Sequence, residues 1–173
     1  MIAGFSPAKL LGPEHQLEGF GCGKPSLDRW LKRHGLENQE ANISRTYVTC
    51  ADGTNEVAGF HSLAMSSVEP DRVPAEVTFP AVKYPIPVML LARLAVDTRH
   101  QRKKLGSAML RDALLRTLSA SRQAGVVAML VHALDDDAAN WYAEKGFSPS
   151  AIDPLHLFLS LATIQAALMA AVE

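Results

Sequence analysis

Apolar residues along this chain gather either into nearly unbroken runs or into stripes spaced three and four residues apart, and the two patterns alternate. Val88 to Val96 (VMLLARLAV) is interrupted only by Arg93. A run of that kind predicts a strand covered on both faces, at the centre of a sheet. Val126 to Leu134 (VVAMLVHAL) predicts a second buried strand. Between them Met109, Leu110, Ala113, Leu114 and Leu118 lie at helical spacing, in a helix that begins near Ser107 and that Gly125 is expected to stop. Strand, helix and strand in that order predict a βαβ crossover.

Upstream, Thr46 to Ala51 and Val57 to Val68 are β-branched, aromatic or small, and Asp52-Gly53-Thr54-Asn55 separates them. This predicts an antiparallel hairpin. Pro25-Ser26-Leu27-Asp28 reads as a helix start, with Ser26 as the cap and Asp28 at the positive end of the dipole. Gly35 is expected to interrupt that helix before a second short one from Leu36 to Asn42. Pro70, Pro74, Pro80, Pro85 and Pro87 crowd the stretch from Glu69 to Pro87, which predicts a long, partly extended loop. Asp135 to Gly146 reads as a short helix closed by glycine, Leu155 to Leu161 as a last strand and Thr163 to Val172 as a terminal helix. Together these elements predict one mixed α/β domain over residues 1–173.

Composition narrows the class. At 173 residues, 48% hydrophobic and 20% charged, the chain is neither disordered nor collagenous. A net charge of −1 excludes a protein that coats nucleic acid by bulk charge, yet the distribution is uneven. Arg93, Arg99, Arg102, Lys103, Lys104, Arg111, Arg116 and Arg122 face only Asp97 and Asp112 in the same stretch, a local balance of +6. Cys22 and Cys50 form neither a metal pair nor a disulfide framework, and the six histidines lack ligand spacing, so no metal is expected. The N-terminus lacks a secretory pattern, and the apolar run near the C-terminus is too short and too polar to cross a bilayer. A bacterial cytoplasmic protein without a membrane partner is the expectation.

The chemistry concentrates in LLARLAVDTRHQRKKLGSAMLRDALL, where a central strand leads through a basic loop into a helix N-terminus. The NH groups of a first helical turn, the positive end of its dipole and nearby cations suit a phosphate. Gln101-Arg102-Lys103-Lys104-Leu105-Gly106 resembles the pyrophosphate loop Q/R-x-x-G-x-G/A of the Gcn5-related N-acetyltransferase (GNAT) superfamily, with Lys104 in place of the first glycine. ALDDDAANWYAEKGF is similar to the later motif of the same superfamily, with Ala138, Trp141, Tyr142, Gly146 and Phe147 in register and Asp135 in place of asparagine. The segments FGCGKPSLDRWLKRHGLENQEANISRTYVTC, VAGFHSLAMSSV and DPLHLFLSL extend the likeness to the TacT-like, tRNA-acetylating toxins of type II toxin–antitoxin systems.

The resemblance implies a splayed, mostly antiparallel sheet flanked by helices, and transfer of acetyl from acetyl-CoA to the α-amino group of aminoacyl-tRNA, which blocks translation. It implies that Leu94, Ala95 and Val96 bind the acyl arm, that Gln101, Arg102, Lys103, Lys104, Leu105, Gly106 and Ser107 hold the diphosphate, and that Asp135 and Ala138 lie on the co-substrate. Tyr142 would be the acid that protonates the departing thiolate. Read without the motif, Tyr142 is a helix aromatic packed in the core with its hydroxyl at the rim. Asp135 to Asp137 read as capping residues rather than a metal site. Lys32, Arg33, Arg45 and Arg93 are candidate RNA contacts, because phosphate recognition by a few cations suits an acceptor end shared by many tRNAs. Homodimerisation, a ribbon-helix-helix antitoxin and operator DNA bound through the antitoxin complex are further implications. Two other readings use the same residues: acetylation of a protein N-terminus or small amine, and a non-catalytic acyl-CoA-binding regulator in which Lys104 marks a weakened or detoxified variant.

Overall fold

The computed structural model of the protein describes residues 2–77 and 81–171, so Pro80 and Val172 lie outside the described residues. Among the described residues seven strands form a mixed sheet in the order β1-β2-β3-β4-β5-β7-β6. They are β1 (Lys9–Leu10), β2 (Arg45–Cys50), β3 (Val57–Val68), β4 (Ile86–Val96), β5 (Ala128–His132), β6 (Ser148–Pro149) and β7 (His156–Ser160). The helices are α1 (Pro25–Trp30), α2 (Leu36–Glu40), α3 (Leu105–Ala120), α4 (Asp136–Glu144) and α5 (Leu161–Ala170). The unbroken apolar run does take the central place, and β4 pairs with β5 in parallel, as the crossover requires. The hairpin of β2 and β3 is antiparallel, with Gly53 at φ +75° in its turn.

One compact unit comprises Met1–Ala64 and Ala92–Ala113. Its core gathers Leu11, Phe20, Leu31, Val48, Phe60, Ala95 and Met109, all nearly inaccessible to solvent. α1 begins at Pro25, whose fixed φ suits the first helical position, so Ser26 lies inside the helix and is not its cap. Asp28 is occupied instead in accepting the Cys22 NH at 2.9 Å. Gly35 does not break the helix either. The path widens into a π-helical turn over Leu31–Gly35 and runs on into α2. A Cβ at Gly35 would stand 3.2 Å from Leu11 Cδ2, so this glycine serves close packing rather than termination.

Gly59 has a similar role on β3, where a Cβ would stand 2.6 Å from Met109 Sδ and 3.2 Å from the Ala95 carbonyl oxygen. Its absence lets the first half of α3 lie close on the sheet. Fully buried His61 adds a polar tie there, its Nε2 lying 2.8 Å from Asp112 Oδ2 on α3.

The second unit comprises Met65–Leu91 and Leu114–Glu173. Val77, Val88, Ala128, Leu130 and Phe158 form a core within it. The β4–β5 ladder runs from Val88↔Ala128 to Leu91↔Val131, and β5 pairs with β7 from Ala128↔Ser160 to His132↔His156. Asp135 caps α4 by accepting the Ala138 NH at 2.9 Å, and Gly146 follows its end at φ +97°, both as expected. α3 ends at Ala120 rather than at Gly125. Ser121 Oγ donates to the Leu118 carbonyl at 2.7 Å, a local bond of the kind that competes with helix continuation.

The turn leaving β4 depends on Asp97, which is 1% exposed. Its carboxylate accepts the Gly21 NH at 3.0 Å, the Arg99 NH at 2.9 Å and the Arg99 side chain at 2.8 and 3.1 Å. Burial alone would raise the pKa of this group; the Arg99 guanidinium and the two backbone donors outweigh it and lower the value to about 2. The folded carboxylate therefore holds its proton less tightly than the unfolded one, and this contribution to stability is lost as pH falls from about 4 to about 2. Asp97→Asn is expected to lower unfolding free energy by about 2 to 3 kcal/mol at neutral pH and to flatten that acid limb, measured by urea denaturation.

Candidate active site

The loop from Asp97 to Lys104 carries the chain from the central strand into α3. Gln101 pins it, its Nε2 donating to the carbonyls of Cys22 at 3.0 Å and Val96 at 2.9 Å. Its side-chain amide thus holds the loop in place. Arg99 is engaged with Asp97 and with Glu56, at 2.6 Å to the latter, which removes it from the run of available cations.

Arg102 and Lys104 both take left-handed backbone, at φ +62° and +63°. A glycine would enter that region without steric cost, whereas a lysine is held there against about 1–2 kcal/mol. The chain therefore keeps, at Lys104, the backbone conformation for which glycine is the usual residue. Alternation of left-handed with ordinary residues turns successive NH groups to one side, an anion-binding nest. The Lys104 carbonyl accepts the Ala108 NH at 3.1 Å, so Leu105, Gly106 and Ser107 form the first turn, whose NH groups have no intrahelical partner. Gln101 to Lys104 are all exposed. The structure thus brings three cations and a helix N-terminus to one place.

β4 continues through Ala92 to Val96, past Leu91, the last position in register with β5. Within this extension the guanidinium of Arg93 lies 4.0 Å from the centre of the Trp30 ring, which itself stacks on Phe60. Arg93 is a half-buried cation held on an aromatic face. Lys32 and Arg33 are exposed on the π-helical turn, and Arg45 is exposed at the start of β2. Trp30 and the π-helical turn escape sequence reasoning, since neither leaves a pattern distinct from an ordinary helix.

Tyr142 lies on α4, 8% exposed, with its ring edge-on to Trp141 at 5.0 Å and to Phe147 at 5.4 Å. The ring packs as a core aromatic would. Burial raises its pKa well above that of a free phenol, so the hydroxyl keeps its proton throughout the physiological range. Both cysteines are free and buried, and burial pushes the Cys22 thiol up to about 11. Among the described residues no group of three or more His, Cys, Asp or Glu side chains is arranged to hold a metal, and no helix is long and apolar enough to cross a membrane.

Sequence reasoning also missed a pair of imidazoles. His132 ends β5, His156 begins β7, and their rings stack with centroids 4.0 Å apart. Their alignment depends on a strand register set across the intervening helix α4, which spacing alone does not reveal.

Residues 42–149 match the family model described as an acetyltransferase (GNAT) domain. The chain is 41% identical over 158 residues to a tRNA-acetylating toxin of Mycobacterium tuberculosis, covering 91% of this chain and 93% of that protein. Two solved structures of AtaT share 25% identity and 95% of this chain. One, AtaT complexed with acetyl-methionyl-tRNAfMet, superposes with a TM-score of 0.86 over 99% of its own length. The other, an AtaT mutant toxin bound to the C-terminus of the antitoxin AtaR, gives 0.81 over 98%.

The left-handed backbone at position 104 makes a signed prediction. Lys104→Gly is expected to raise unfolding free energy by about 0.5–1 kcal/mol and the melting temperature by about 2–3 °C, whereas Lys104→Ala, which keeps a Cβ there, gives no such gain. Calorimetry of the three proteins checks both arms.

Proposed function

This chain belongs to the acetyltransferase (GNAT) family, and on that premise we propose that it is the toxin of a type II toxin–antitoxin system that moves acetyl from acetyl-CoA to the α-amino group of aminoacyl-tRNA. The observation that carries the reading is the loop in which Arg102 and Lys104 turn the backbone left-handed immediately before the N-terminus of α3. A diphosphate fits it. Backbone NH groups of Leu105, Gly106 and Ser107 bond the phosphate oxygens, and Arg102, Lys103 and Lys104 supply countercharge. Leu94, Ala95 and Val96 offer strand backbone to the amides of the acyl arm, and Asp135 and Ala138 complete the co-substrate side.

Acetyl-CoA supplies an activated thioester when bound. The protein's own part is then positioning and one proton. An α-amine titrates near pH 8, so an appreciable neutral fraction exists at cellular pH without a strong base. A backbone NH between Leu94 and Val96 stabilises negative charge on the acyl oxygen as the amine adds. Tyr142 donates its hydroxyl proton toward the departing sulfur as the C–S bond breaks, and the amine's lost proton restores the balance through solvent. The phenol is protonated at every pH where the amine is reactive, so it is available as the donor.

Lys32, Arg33, Arg45 and Arg93 contact the acceptor-end phosphates in this reading. All four are cations, and Arg93 is already oriented by Trp30. The whole chain acts as one catalytic domain, works in the bacterial cytoplasm and pairs with itself as a homodimer. Its antitoxin is of the ribbon-helix-helix type, and the complex binds operator DNA. The AtaT structure bound to the C-terminus of the antitoxin AtaR supports an antitoxin partner as such.

Labelled acetyl from acetyl-CoA is expected to enter bulk tRNA only after aminoacylation. Tyr142→Phe should lower kcat by about 10²–10⁴ while leaving acetyl-CoA affinity within about twofold. Label appearing in uncharged RNA or on protein instead would sink the reading. Removing the charge of Lys32, Arg33 or Arg45 is expected to shallow the dependence of log affinity on log salt by about one per true phosphate contact, with little change in kcat.

A further inference from the structure

Apart from the loop and Tyr142, one cavity in the second compact unit has a built wall. Its volume is about 280 Å³, at the small end of ligand pockets and enough for a single nucleoside or amino-acid group. Leu130 and Phe158, both buried, form an apolar floor at a cross-strand pair of β5 and β7. The next pair along the same face is His132 and His156, stacked 17° from parallel. Arg72 stands on the rim, in the 3₁₀ turn Pro70–Arg72 that follows β3. That rim is fixed, because buried Ser150 donates its hydroxyl to the Arg72 carbonyl at 2.7 Å.

The chemistry of the wall selects a ligand class. A stacked imidazole pair above an apolar floor offers an aromatic surface for a base, the Arg72 guanidinium offers a place for a phosphate, and the Glu69 carboxylate, which also lines the wall, can accept from a ribose hydroxyl. A purely aliphatic group would leave the imidazole edges and the hydroxyls of Ser66, Ser67 and Ser150, which also line the wall, without use. Loss of hydration and the neighbouring His156 both lower the His132 pKa, against a smaller opposite pull from Asp153, which favours the neutral form of that ring. The cavity lies at the C-terminal end of β5, and the chain goes from His132 through the Asp135 cap directly into the helix that carries Tyr142.

We propose that this cavity binds the unpaired 3′-terminal nucleoside of the tRNA acceptor, with the base stacked on the His132–His156 pair and the phosphate on Arg72. The inference rests on the reading of charged tRNA as substrate, and it adds a nucleoside site to the phosphate contacts already named. Stacking holds the last nucleotide whatever amino acid it carries, so the site serves recognition of the RNA end rather than of the side chain.

The test is a binding cycle with uncharged tRNA, which separates this site from catalysis. Affinity is measured for intact tRNA and for tRNA lacking its 3′-terminal nucleotide, with the parent protein, His132→Ala and His132→Phe. Deleting the nucleotide is expected to weaken parent binding about tenfold, His132→Ala to cause a similar loss, and the two together to cost no more than either alone. His132→Phe, which keeps an aromatic face, restores most of the difference. Additive losses, no loss from either change, or a His132→Ala effect seen only as a raised KM for charged tRNA would overturn the proposal. In the last case the pocket takes the amino-acid side chain. Acetyl transfer to charged tRNA that persists without coupling removes this inference alone, whereas failure of the parent to acetylate charged tRNA removes the functional reading beneath it.

Discussion

The segment from Asp97 to Lys104 must carry the chain from the middle of a sheet to a helix N-terminus whose first-turn NH groups have no intrahelical partner. One buried carboxylate meets most of that demand. Asp97 gathers the backbone of Gly21 and both backbone and side chain of Arg99, while Gln101 bonds the carbonyls on either side of the turn. With those anchors the chain tolerates left-handed backbone at two residues that are not glycine. The strain at Arg102 and Lys104 is local and follows directly on the residues anchored by Asp97 and Gln101. What looks in the sequence like the loss of a motif glycine is, in the fold, retention of the glycine's conformation with a cation added.

The polar groups around this turn divide the labour by environment. Asp97 and Gln101 are consumed in holding the loop, Arg99 in neutralising buried acid, and Arg102, Lys103 and Lys104 stay exposed where an anion can reach them. Arg93 keeps its charge on an aromatic surface. Tyr142, by contrast, is buried among aromatic side chains, which raises the pKa of its phenol. A chain of net charge −1 thereby carries a positive loop without becoming a general polyanion binder.

Much of this was legible in the sequence where the signal is periodic or local. The run from Val88 to Val96 identified the central strand, since only a strand covered on both faces is so apolar. The hairpin turn, the Asp135 cap and the closing Gly146 each rest on neighbouring residues and came out as expected. The errors share a cause: each turned on a distant or competing contact. Ser26 lost the cap to Pro25, Gly35 answered to Leu11 rather than to helix termination, and Ser121 ended α3 ahead of Gly125. The two-residue strands β1 and β6 are too short to show a period. The site was half legible: the loop and Tyr142 carry motifs, but the Asp97 network, the Arg93–Trp30 contact and the His132–His156 pair arise only from tertiary pairing.

The central claim is that the backbone before and within the first turn of α3 receives the diphosphate of acetyl-CoA. Amide hydrogen exchange followed residue by residue, with and without acetyl-CoA at saturation, tests it most directly. The account predicts slowed exchange at Leu105, Gly106 and Ser107 on binding. Tight binding that leaves those three amides exchanging at their original rates, with protection elsewhere, would contradict it.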